Sequence, residues 1–262
     1  MKLEVSADSL LVWWRMIKDL DIPKPKTEVV ILTKEELKNL YCGEVHNSIL
    51  GKVVSVCDKF GYPCFLRTDL ASGKFDWENA CYVKSRKTLI KNILGVVEFN
   101  NCADIMGLPF KAFAAREFIP MAYRYTAFYS KMPVSPERRY FVENGEVLCH
   151  HPYWIEEAIR NPSASNWKEL SAEMNFEEKA EVSLLTGYAE QVSKVMKGFW
   201  SVDFCKAKDG RWILIDMALG DESWHQEKCK HNRTPIIDYH HMTEENRKFL
   251  EDKMSRRVEI EV

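Results

Sequence analysis

The sequence predicts an α+β fold, in which helices are interspersed with antiparallel hairpins. This prediction rests on two predicted hairpins and one predicted helix. The hairpins span 138–149 and 200–216, and their turns contain Asn144-Gly145 and Asp209-Gly210, which supply the positive φ that a tight reversal needs. Between them, residues 176–198 repeat apolar side chains every three or four positions, which predicts a long helix.

The other predicted elements follow the same mixed order. Apolar residues at helical spacing indicate helices, and β-branched or aromatic runs bounded by Pro or Gly indicate strands. Helices are predicted over 10–20, 34–40, 47–60, 88–99 and about 243–257, and strands over 27–32, 62–67 and 112–119. Thr33 and Glu36 form a capping-box pattern at the start of the second of these helices.

Length, charge and cysteine usage exclude several classes of protein. The chain has 262 residues and a net charge of −2, so no global basic field attracts nucleic acid or an anionic membrane. No apolar run reaches the roughly 18–20 residues that span a bilayer. The N-terminus lacks a signal-peptide core, and the eight cysteines are scattered without a CxxC pair. These features predict a cytoplasmic protein with buried, reduced thiols.

Two aspartates stand on the strands of the second hairpin, thirteen positions apart. Pairing of these strands brings Asp203 and Asp216 towards one another. Neighbouring carboxylates repel unless a positive charge lies between them, and Mg²⁺ takes oxygen ligands and commonly a nucleotide phosphate as well. Asp is also common at strand ends. The hairpin alone therefore leaves two interpretations open, a Mg²⁺ site or an exposed turn with two unrelated acids.

A polar loop from Thr68 to Lys74 follows the predicted strand that ends at Arg67. Gly73 lets backbone N–H groups approach an anion, Ser72 can donate a hydrogen bond, and Arg67 and Lys74 supply positive charge. The P-loop pattern GxxxxGK[ST] is absent from the chain. The loop therefore fits either an anion-binding turn or an ordinary solvated turn.

Charged residues interrupt two otherwise apolar strands. Arg116 and Glu117 lie inside the predicted strand 112–119, which either faces a cleft or forms an edge with alternating polar positions. Arg138 and Arg139 open the first hairpin, and alternation sends their side chains to opposite faces, so that only one can point into a site. Such an arginine either neutralises phosphate charge or forms a surface ion pair.

Histidines and cysteines also come together along the sequence. The groups are His150-His151, His240-His241, and the set His225, Cys229 and His231. Adjacent histidines on a strand point to opposite faces, and one Cys with two His leaves a fourth zinc ligand unidentified. The spacing therefore favours structural roles over a metal site. The GxSxG pattern of Ser-His-Asp hydrolases is absent as well.

Taken in order, these motifs resemble those of the ATP-grasp superfamily. They are a basic residue with a small-residue loop (67–74), a hinge strand (116–119), an arginine hairpin strand (137–142) and a metal hairpin (203–216). Within the superfamily, the chain is similar to phage-type ATP-grasp proteins and to the cell-division-cycle family that assists assembly of a translation initiation factor. The resemblance covers roughly residues 10–225 and rests on the order and spacing of the motifs together.

The resemblance implies that the chain binds ATP and Mg²⁺. It implies that Asp203 and Asp216 ligate Mg²⁺, and that Arg139 and Lys74 stabilise the charge of the transferring phosphoryl group. The implied nucleotide-binding residues are Arg67 against the α- and β-phosphates, Ser72, Gly73 and Lys74 in the loop over the phosphates, and Arg116, Glu117, Phe118 and Ile119 at the adenine hinge.

The resemblance further implies one ATP-grasp unit over residues 1–262, with the nucleotide held between the antiparallel sheets of two α+β lobes. The expected parts are an N-terminal portion of about 1–60, a small lobe of about 61–115, a large lobe of about 116–240 and a helix-like tail at 241–262.

One position departs from the family pattern. Members of the family usually carry Asn two residues after the second acid, as a further metal ligand, and Ala218 stands there. Asp221 and Glu222 in the following loop are the candidates to replace it. The departure bears on catalysis more than on nucleotide binding.

Two functions follow from the resemblance. The first is an ATP–Mg²⁺-dependent ligase, which activates a carboxylate as an acyl phosphate for attack by an amine or a similar nucleophile. The second is an ATP-binding assembly chaperone or protein-binding module with little or no turnover, which Ala218 favours modestly. The expected partners are a nucleotide and either a small-molecule or peptide acceptor or a protein client. Nucleic acid and membranes are not expected.

Overall fold

The computed structural model describes residues 2–103, 109–235, 237 and 240–261. The strands are β1 (Lys2–Ser6), β2 (Thr27–Ile31), β3 (Cys64–Thr68), β4 (Tyr82–Val83), β5 (Ala112–Glu117), β6 (Tyr125–Ala127), β7 (Met132–Val134), β8 (Glu137–Glu143), β9 (Glu146–Pro152), β10 (Phe199–Lys206), β11 (Trp212–Leu219) and β12 (Arg257–Glu261). The α-helices are α1 (Leu10–Ile17), α2 (Lys34–Tyr41), α3 (Asn47–Phe60), α4 (Leu89–Ala103), α5 (Trp167–Asn175), α6 (Lys179–Val195) and α7 (Glu244–Ser255).

A four-stranded antiparallel sheet in the order β2-β5-β3-β4 forms the small lobe. Helices α2, α3 and α4 contribute to its core through apolar faces that include Leu40, Val53 and Ile93. Leu66 and Phe113 from the two central strands complete this core and are fully buried. The sheet thereby holds the ends of β3 and β5 in fixed positions.

A second four-stranded antiparallel sheet, in the order β11-β10-β8-β9, forms the large lobe. Helices α1 and α6 pack on it, and the apolar core joins Trp13, Leu185 and Tyr140 with side chains of β10 and β11. Ala114 of the small lobe belongs to the same core. The two sheets therefore share buried apolar surface.

Two smaller sheets join distant parts of the chain. Strands β1 and β12 pair antiparallel, so that the two ends of the described chain lie side by side. Strands β6 and β7 form a short hairpin that packs with α5 around Trp154 and Met174.

The predicted α+β class is confirmed, since every named sheet is antiparallel and helices lie between the hairpins in the chain. Both predicted hairpins are present, and Asn144, Gly145 and Gly210 have positive φ at their turns. The capping box of α2 is also present, since Thr33 and Glu36 exchange side-chain to backbone hydrogen bonds.

The predicted helix over 176–198 is wrong at both ends. Glu178 and Met196 have extended backbone, which limits α6 to Lys179–Val195. A separate helix, α5, precedes it. At the end of α5, the guanidinium of Arg138 donates hydrogen bonds to the carbonyl groups of Met174 and Phe176. The sequence analysis also missed β1 and β12, whose pairing partners lie at opposite ends of the chain.

The predicted strand 112–119 ends two residues early, at Glu117. Beyond it the chain leaves the small sheet and joins the large lobe, where Lys208 donates to the carbonyl of Pro120 at 2.9 Å. The expectation of buried thiols is also wrong for two cysteines, because Cys42 and Cys102 are exposed. Among the described residues, no helix has the length and apolar character that a membrane crossing needs.

The packing of α4 on the small sheet gives a prediction. A Cβ built on Gly95 would lie 2.3 Å from the backbone oxygen of Asn79, whereas one on Gly51 of α3 would meet nothing within 4 Å. We expect Gly95→Ala to lower the free energy of unfolding by about 1–3 kcal/mol, because the helix must move away. Gly51→Ala is the matched control and should raise it by about 0.5–1 kcal/mol.

Urea unfolding of both variants measures these changes. Equal effects of the two substitutions would show that α4 does not pack as closely as the structure has it.

Candidate functional site

A cleft lies between the end of the small sheet and the edge of the large sheet. Its cavity has a volume of about 310 Å³. It brings together eight of the residues that the sequence analysis proposed, which are Arg67, Ser72, Lys74, Arg116, Glu117, Phe118, Ile119 and Asp216. Gly73, Arg139 and Asp203 do not line this cavity but lie next to residues that do.

The two aspartates of the second hairpin face each other directly. Asp203 of β10 is the register partner of Asp216 of β11, so both side chains leave the same face of the sheet. The register shifts immediately after this pair, because Phe204 is opposite Leu214. Ile215 is thus the extra residue of a β-bulge, and a bulge leaves part of the strand's hydrogen-bonding capacity free.

Each aspartate has its own arginine. The guanidinium of Arg67 on β3 donates to Oδ1 of Asp216 at 2.6 Å. Arg139 on β8 makes two parallel hydrogen bonds with the carboxylate of Asp203, at 2.8 and 2.7 Å. Burial raises the pKa of Asp216, but Arg67 and Arg116 outweigh it and hold the pKa below its ordinary value. The carboxylate is therefore ionised in the cleft.

Arg116 is buried without a carboxylate partner of its own. Its Nη1 donates to the carbonyl of Ile215, and its Nε has no hydrogen-bond partner among the described residues. The indole rings of Trp13 and Trp14 lie 5.5 and 5.9 Å from the guanidinium. Burial and the charge of Arg67 lower the pKa of Arg116 to about 9. A positive charge that is destabilised in this way favours the approach of an anion.

The side chain of Lys74 extends from the loop after β3 to the large lobe. Its Nζ lies 3.1 Å from Oε1 of Glu137 and 4.0 Å from the ring centre of Tyr153. Burial raises the pKa of Glu137, and the charge of Lys74 opposes this shift. Gly73, just before Lys74, has φ of +66°, and a Cβ there would come within 3.3 Å of Ala80. Glycine at this position therefore lets the chain turn tightly.

The hinge segment forms the apolar wall of the cleft. The carboxylate of Glu117 accepts a hydrogen bond from the backbone of Lys26 at 2.8 Å, so it holds the hinge segment to the residue just before β2. Phe118 packs against Trp77 and Tyr82, with ring centres 6.4 and 5.3 Å away. Ile119 follows in the same wall. The arrangement gives a flat ligand an aromatic and aliphatic surface.

The two adjacent arginines of β8 take opposite faces, as strand alternation predicts. Arg138 points away from Asp203 and donates to backbone carbonyls at the end of α5. Its side chain also forms an ion pair with Glu177 at 3.2 Å. Only Arg139 reaches the paired aspartates.

Ala218 is followed by acids that are already paired. Asp221 forms an ion pair with Arg256 at 2.7 Å, and Glu222 lies 3.3 Å from Lys253. A further carboxylate comes from the N-terminal region, where Oδ1 of Asp8 accepts a hydrogen bond from the backbone of Leu219 at 2.6 Å.

Asp8 is in an unfavourable electrostatic environment. Burial raises its pKa well above the ordinary value, and the charges of Glu222 and Asp216 add to this shift. The hydrogen bond from Leu219 and the charge of Lys253 act in the opposite direction without cancelling it. A cation close to Asp8 would stabilise its ionised form.

Sequence reasoning missed several residues of this region, among them Glu137 and Asp8. Glu137 has the same strand phase as Arg139, which the sequence analysis did place near a site, so alternation along β8 was a signal for it. Asp8 offers no such signal, because it stands more than two hundred positions from the strand that it contacts.

Comparison with known proteins identifies the fold. The sequence model of the family "ATP-grasp domain, R2K clade family 3" matches residues 50–236 of this chain. The fold is similar to that of Cdc123 from Schizosaccharomyces pombe, with a TM-score of 0.54 and 12% identity over 81% of this chain and 83% of that chain.

Two further solved structures are similar to the chain. The C-terminally truncated form of Cdc123 from the same organism gives a TM-score of 0.55, with 12% identity over 90% of this chain and 92% of that chain. A RimK domain ATP-grasp protein from Sphaerobacter thermophilus gives 0.44, with 14% identity over 81% and 58%. At this identity the likeness concerns the fold. The comparison with curated proteins finds no significant match.

The environment of Asp8 gives a prediction. Asp8→Asn keeps an oxygen for the backbone of Leu219 but removes the charge. We expect it to raise the melting temperature at neutral pH, without nucleotide, by a few degrees, as a change of about 1 kcal/mol does in a chain of this size. Because the folded state raises the pKa of Asp8, wild type loses stability relative to the variant as pH rises from about 4.

Thermal unfolding between pH 4 and pH 8 measures this difference. Asp19→Asn, at an exposed position, is the control and should show no such trend. A variant Asp8→Asn that is less stable than wild type at every pH would contradict the raised pKa.

Proposed function

The chain belongs to the ATP-grasp domains of R2K clade family 3, and from this premise we propose that it binds ATP with Mg²⁺ in the cleft between its two sheets. The proposed site comprises the residues described above. The phosphates would lie against Arg67, Arg116 and Lys74, and the base would lie against the hinge.

The observation that carries the proposal is the surplus of buried positive charge. Arg67 and Arg116 are 3% and 4% exposed and share Asp216 as the carboxylate that stabilises their charges. Buried cations need compensation, because their desolvation is unfavourable. A chain of phosphates supplies several negative oxygens to guanidinium groups in bidentate geometry. A neutral ligand would leave the surplus in place.

The paired aspartates fit a hard divalent cation. Oδ1 of Asp216 accepts hydrogen bonds from Arg67 and from the backbone of Met217. Among the described residues its Oδ2 has no hydrogen bond, so this oxygen is available to a metal. Mg²⁺ commonly takes one or two carboxylates together with phosphate oxygens. When bound, it would neutralise phosphate charge, with Asp203 and Asp216 as its protein ligands.

The hinge suits the base. Phe118 and Ile119 offer apolar surface, and Phe65 and Trp77 extend the wall on the side of the small sheet. Backbone groups beyond Glu117 leave the sheet here, which frees them to recognise the edge of a purine. The cleft therefore provides separate surfaces for base and phosphate.

The first candidate reaction is carboxylate activation. An oxygen of the substrate carboxylate attacks the γ-phosphorus, the bond from that phosphorus to the ADP oxygen breaks, and an acyl phosphate forms. An amine then attacks the acyl carbon, loses a proton, and displaces inorganic phosphate. Lys74 and Arg139 would stabilise the charge on the transferring group, and the rest of the catalysis is positioning. The acceptor is a small molecule or a peptide.

The second candidate is a protein-binding module that holds ATP with little or no turnover. Ala218 favours it, because a methyl group cannot replace an amide oxygen as a metal ligand. The acids that follow it are paired with basic side chains of the C-terminal region. In this case ATP would order the two lobes for a protein client.

The metal hairpin gives a direct test of nucleotide binding. We expect ATP with Mg²⁺ to raise the melting temperature of wild type, and Asp216→Asn to weaken binding by roughly 10- to 100-fold, since a buried charged contact contributes about 1.5–3 kcal/mol. Asp209→Asn is the matched control, because it makes the same change in the exposed turn of the same hairpin. Calorimetric titration of ATP with and without Mg²⁺ measures the affinities.

Unchanged stabilisation of Asp216→Asn by ATP and Mg²⁺ would show that this hairpin is not the metal site. Circular dichroism of the unliganded variant verifies that it folds. Failure of the wild type to bind ATP at all would reject both candidate functions.

Turnover separates the two candidates. For a ligase, we expect ADP release to remain low until a particular acid and amine are both present, and to fall at least tenfold in Asp216→Asn. For a binding module, ATP binds without this stimulation, and one protein co-purifies with wild type in an ATP-dependent manner. A coupled ADP assay over panels of acids and amines, alongside affinity purification, distinguishes these outcomes.

A further inference from the structure

A cluster of two cysteines and one histidine lies where β9 meets the segment that follows β11. The ligand atoms of Cys149, His225 and Cys229 are all within 4.8 Å of one another. Sγ of Cys149 is 3.2 Å from Nε2 of His225. We propose that this cluster is a zinc site that fixes the segment after β11. It is separate from the proposed nucleotide site and uses none of its residues.

The distances suit a tetrahedral metal. Zinc–sulfur bonds of about 2.3 Å and zinc–nitrogen bonds of about 2.0–2.1 Å place neighbouring ligand atoms roughly 3.5–3.8 Å apart. The separation of Cys149 Sγ and His225 Nε2 is 3.2 Å, and the other two separations are no more than 4.8 Å. Small side-chain rotations are therefore enough to reach the geometry of a bound ion.

The ring of His225 is held in one orientation by packing. Its ring stacks on Phe141 with centres 3.7 Å apart and an angle of 8°, and His225 is 2% exposed. Burial and the neighbouring His151 lower the pKa of His225 to about 4. The ring is neutral at physiological pH, and Nε2 can offer its lone pair to a metal.

The thiol of Cys149 is protonated in the absence of a metal. Burial, together with the hydrogen bond to Cys229, raises the pKa of Cys149 to about 12. Binding of Zn²⁺ would replace one proton on each thiol, so that two thiolates and a neutral imidazole leave the complex without net charge. Thiolate and imidazole ligands select zinc over the hard Mg²⁺.

The fourth position would be taken by water, because the cluster of ligand atoms comprises only Cys149, His225 and Cys229 among the described residues. The sequence analysis assigned His225, Cys229 and His231 to structural roles because a further ligand was not identified nearby. The structure supplies Cys149, which comes from a strand 76 positions before His225.

The segment that the metal would fix also contacts the cleft. The carbonyl of Trp224, next to His225, accepts a hydrogen bond from Arg139 at 3.2 Å. The hydroxyl of Ser223 lies 2.6 Å from that of Ser201 on β10. A zinc ion at Cys149 and Cys229 would thus hold the backbone that supports Arg139.

Metal content tests the site without reference to nucleotide. We expect protein purified without chelators to carry close to one zinc per chain by elemental analysis. Cobalt substitution should give the visible absorption of tetrahedral Co²⁺ with thiolate ligands. Cys149→Ser and Cys229→Ser should each lose the zinc and the cobalt spectrum. Cys102→Ser, at an exposed position on α4, is the matched control and should keep both.

Thiol protection in the wild-type protein tests the site without any variant. Zinc should slow alkylation of Cys149 and Cys229, and a chelator should restore it, whereas the exposed Cys42 reacts equally in both cases. Zinc content that is equal in all variants would overturn the proposal. The proposal would also be overturned if reduced wild-type protein bound neither Zn²⁺ nor Co²⁺. The same holds for protein that is isolated with a Cys149–Cys229 disulfide and binds no metal once that disulfide has been reduced.

Discussion

The arginine–aspartate pair between the two sheets is the contact on which the site depends. Arg67 ends a central strand of the small sheet, and Asp216 lies on the edge strand of the large sheet, 149 positions later. Arg116, on the neighbouring central strand, donates a hydrogen bond to the carbonyl of Ile215 at the bulge. The bulge in β11 thus provides a second contact with the small lobe, through the carbonyl of Ile215. These contacts place the proposed phosphate-binding residues of one lobe beside the carboxylates of the other.

The same contacts leave the electrostatics of the cleft incomplete. Its charged lining residues are Arg67, Lys74, Arg116, Glu117, Glu137, Lys208 and Asp216, and the pair of Arg139 and Asp203 lies next to them. Arg139 and Asp203 satisfy one another, as do Lys74 and Glu137. Arg116 has no carboxylate of its own, and burial together with the charge of Arg67 lowers its pKa. An apolar side chain at this position would stabilise the fold at least as well as a buried arginine without a carboxylate partner. The proposed nucleotide would supply the negative charge that Arg116 lacks.

Local patterns predicted much of this structure from sequence. Asn-Gly and Asp-Gly turns determined both hairpins, and the alternation of β8 correctly separated Arg138 from Arg139. The order of short motifs predicted the family. Several of the missed features depend on contacts between distant residues, which a local pattern does not encode. Pairing of β1 with β12 and the approach of Cys149 to His225 are of this kind.

The loop after β11 decides how far the chemistry of the site resembles that of other family members. Asp221 and Glu222 were the expected substitutes for a ligand at Ala218, but Arg256 and Lys253 hold them. These basic residues belong to the end of the chain, and β12 directly after them pairs with β1. That pairing brings Asp8 to the backbone of Leu219, one residue after Ala218. The chain ends therefore supply, from outside the hairpin, a carboxylate beside the position that lacks one. Since the raised pKa of Asp8 reflects repulsion from Asp216 and Glu222 as well as burial, a cation bound to Asp216 would lower that pKa and stabilise all three acids together.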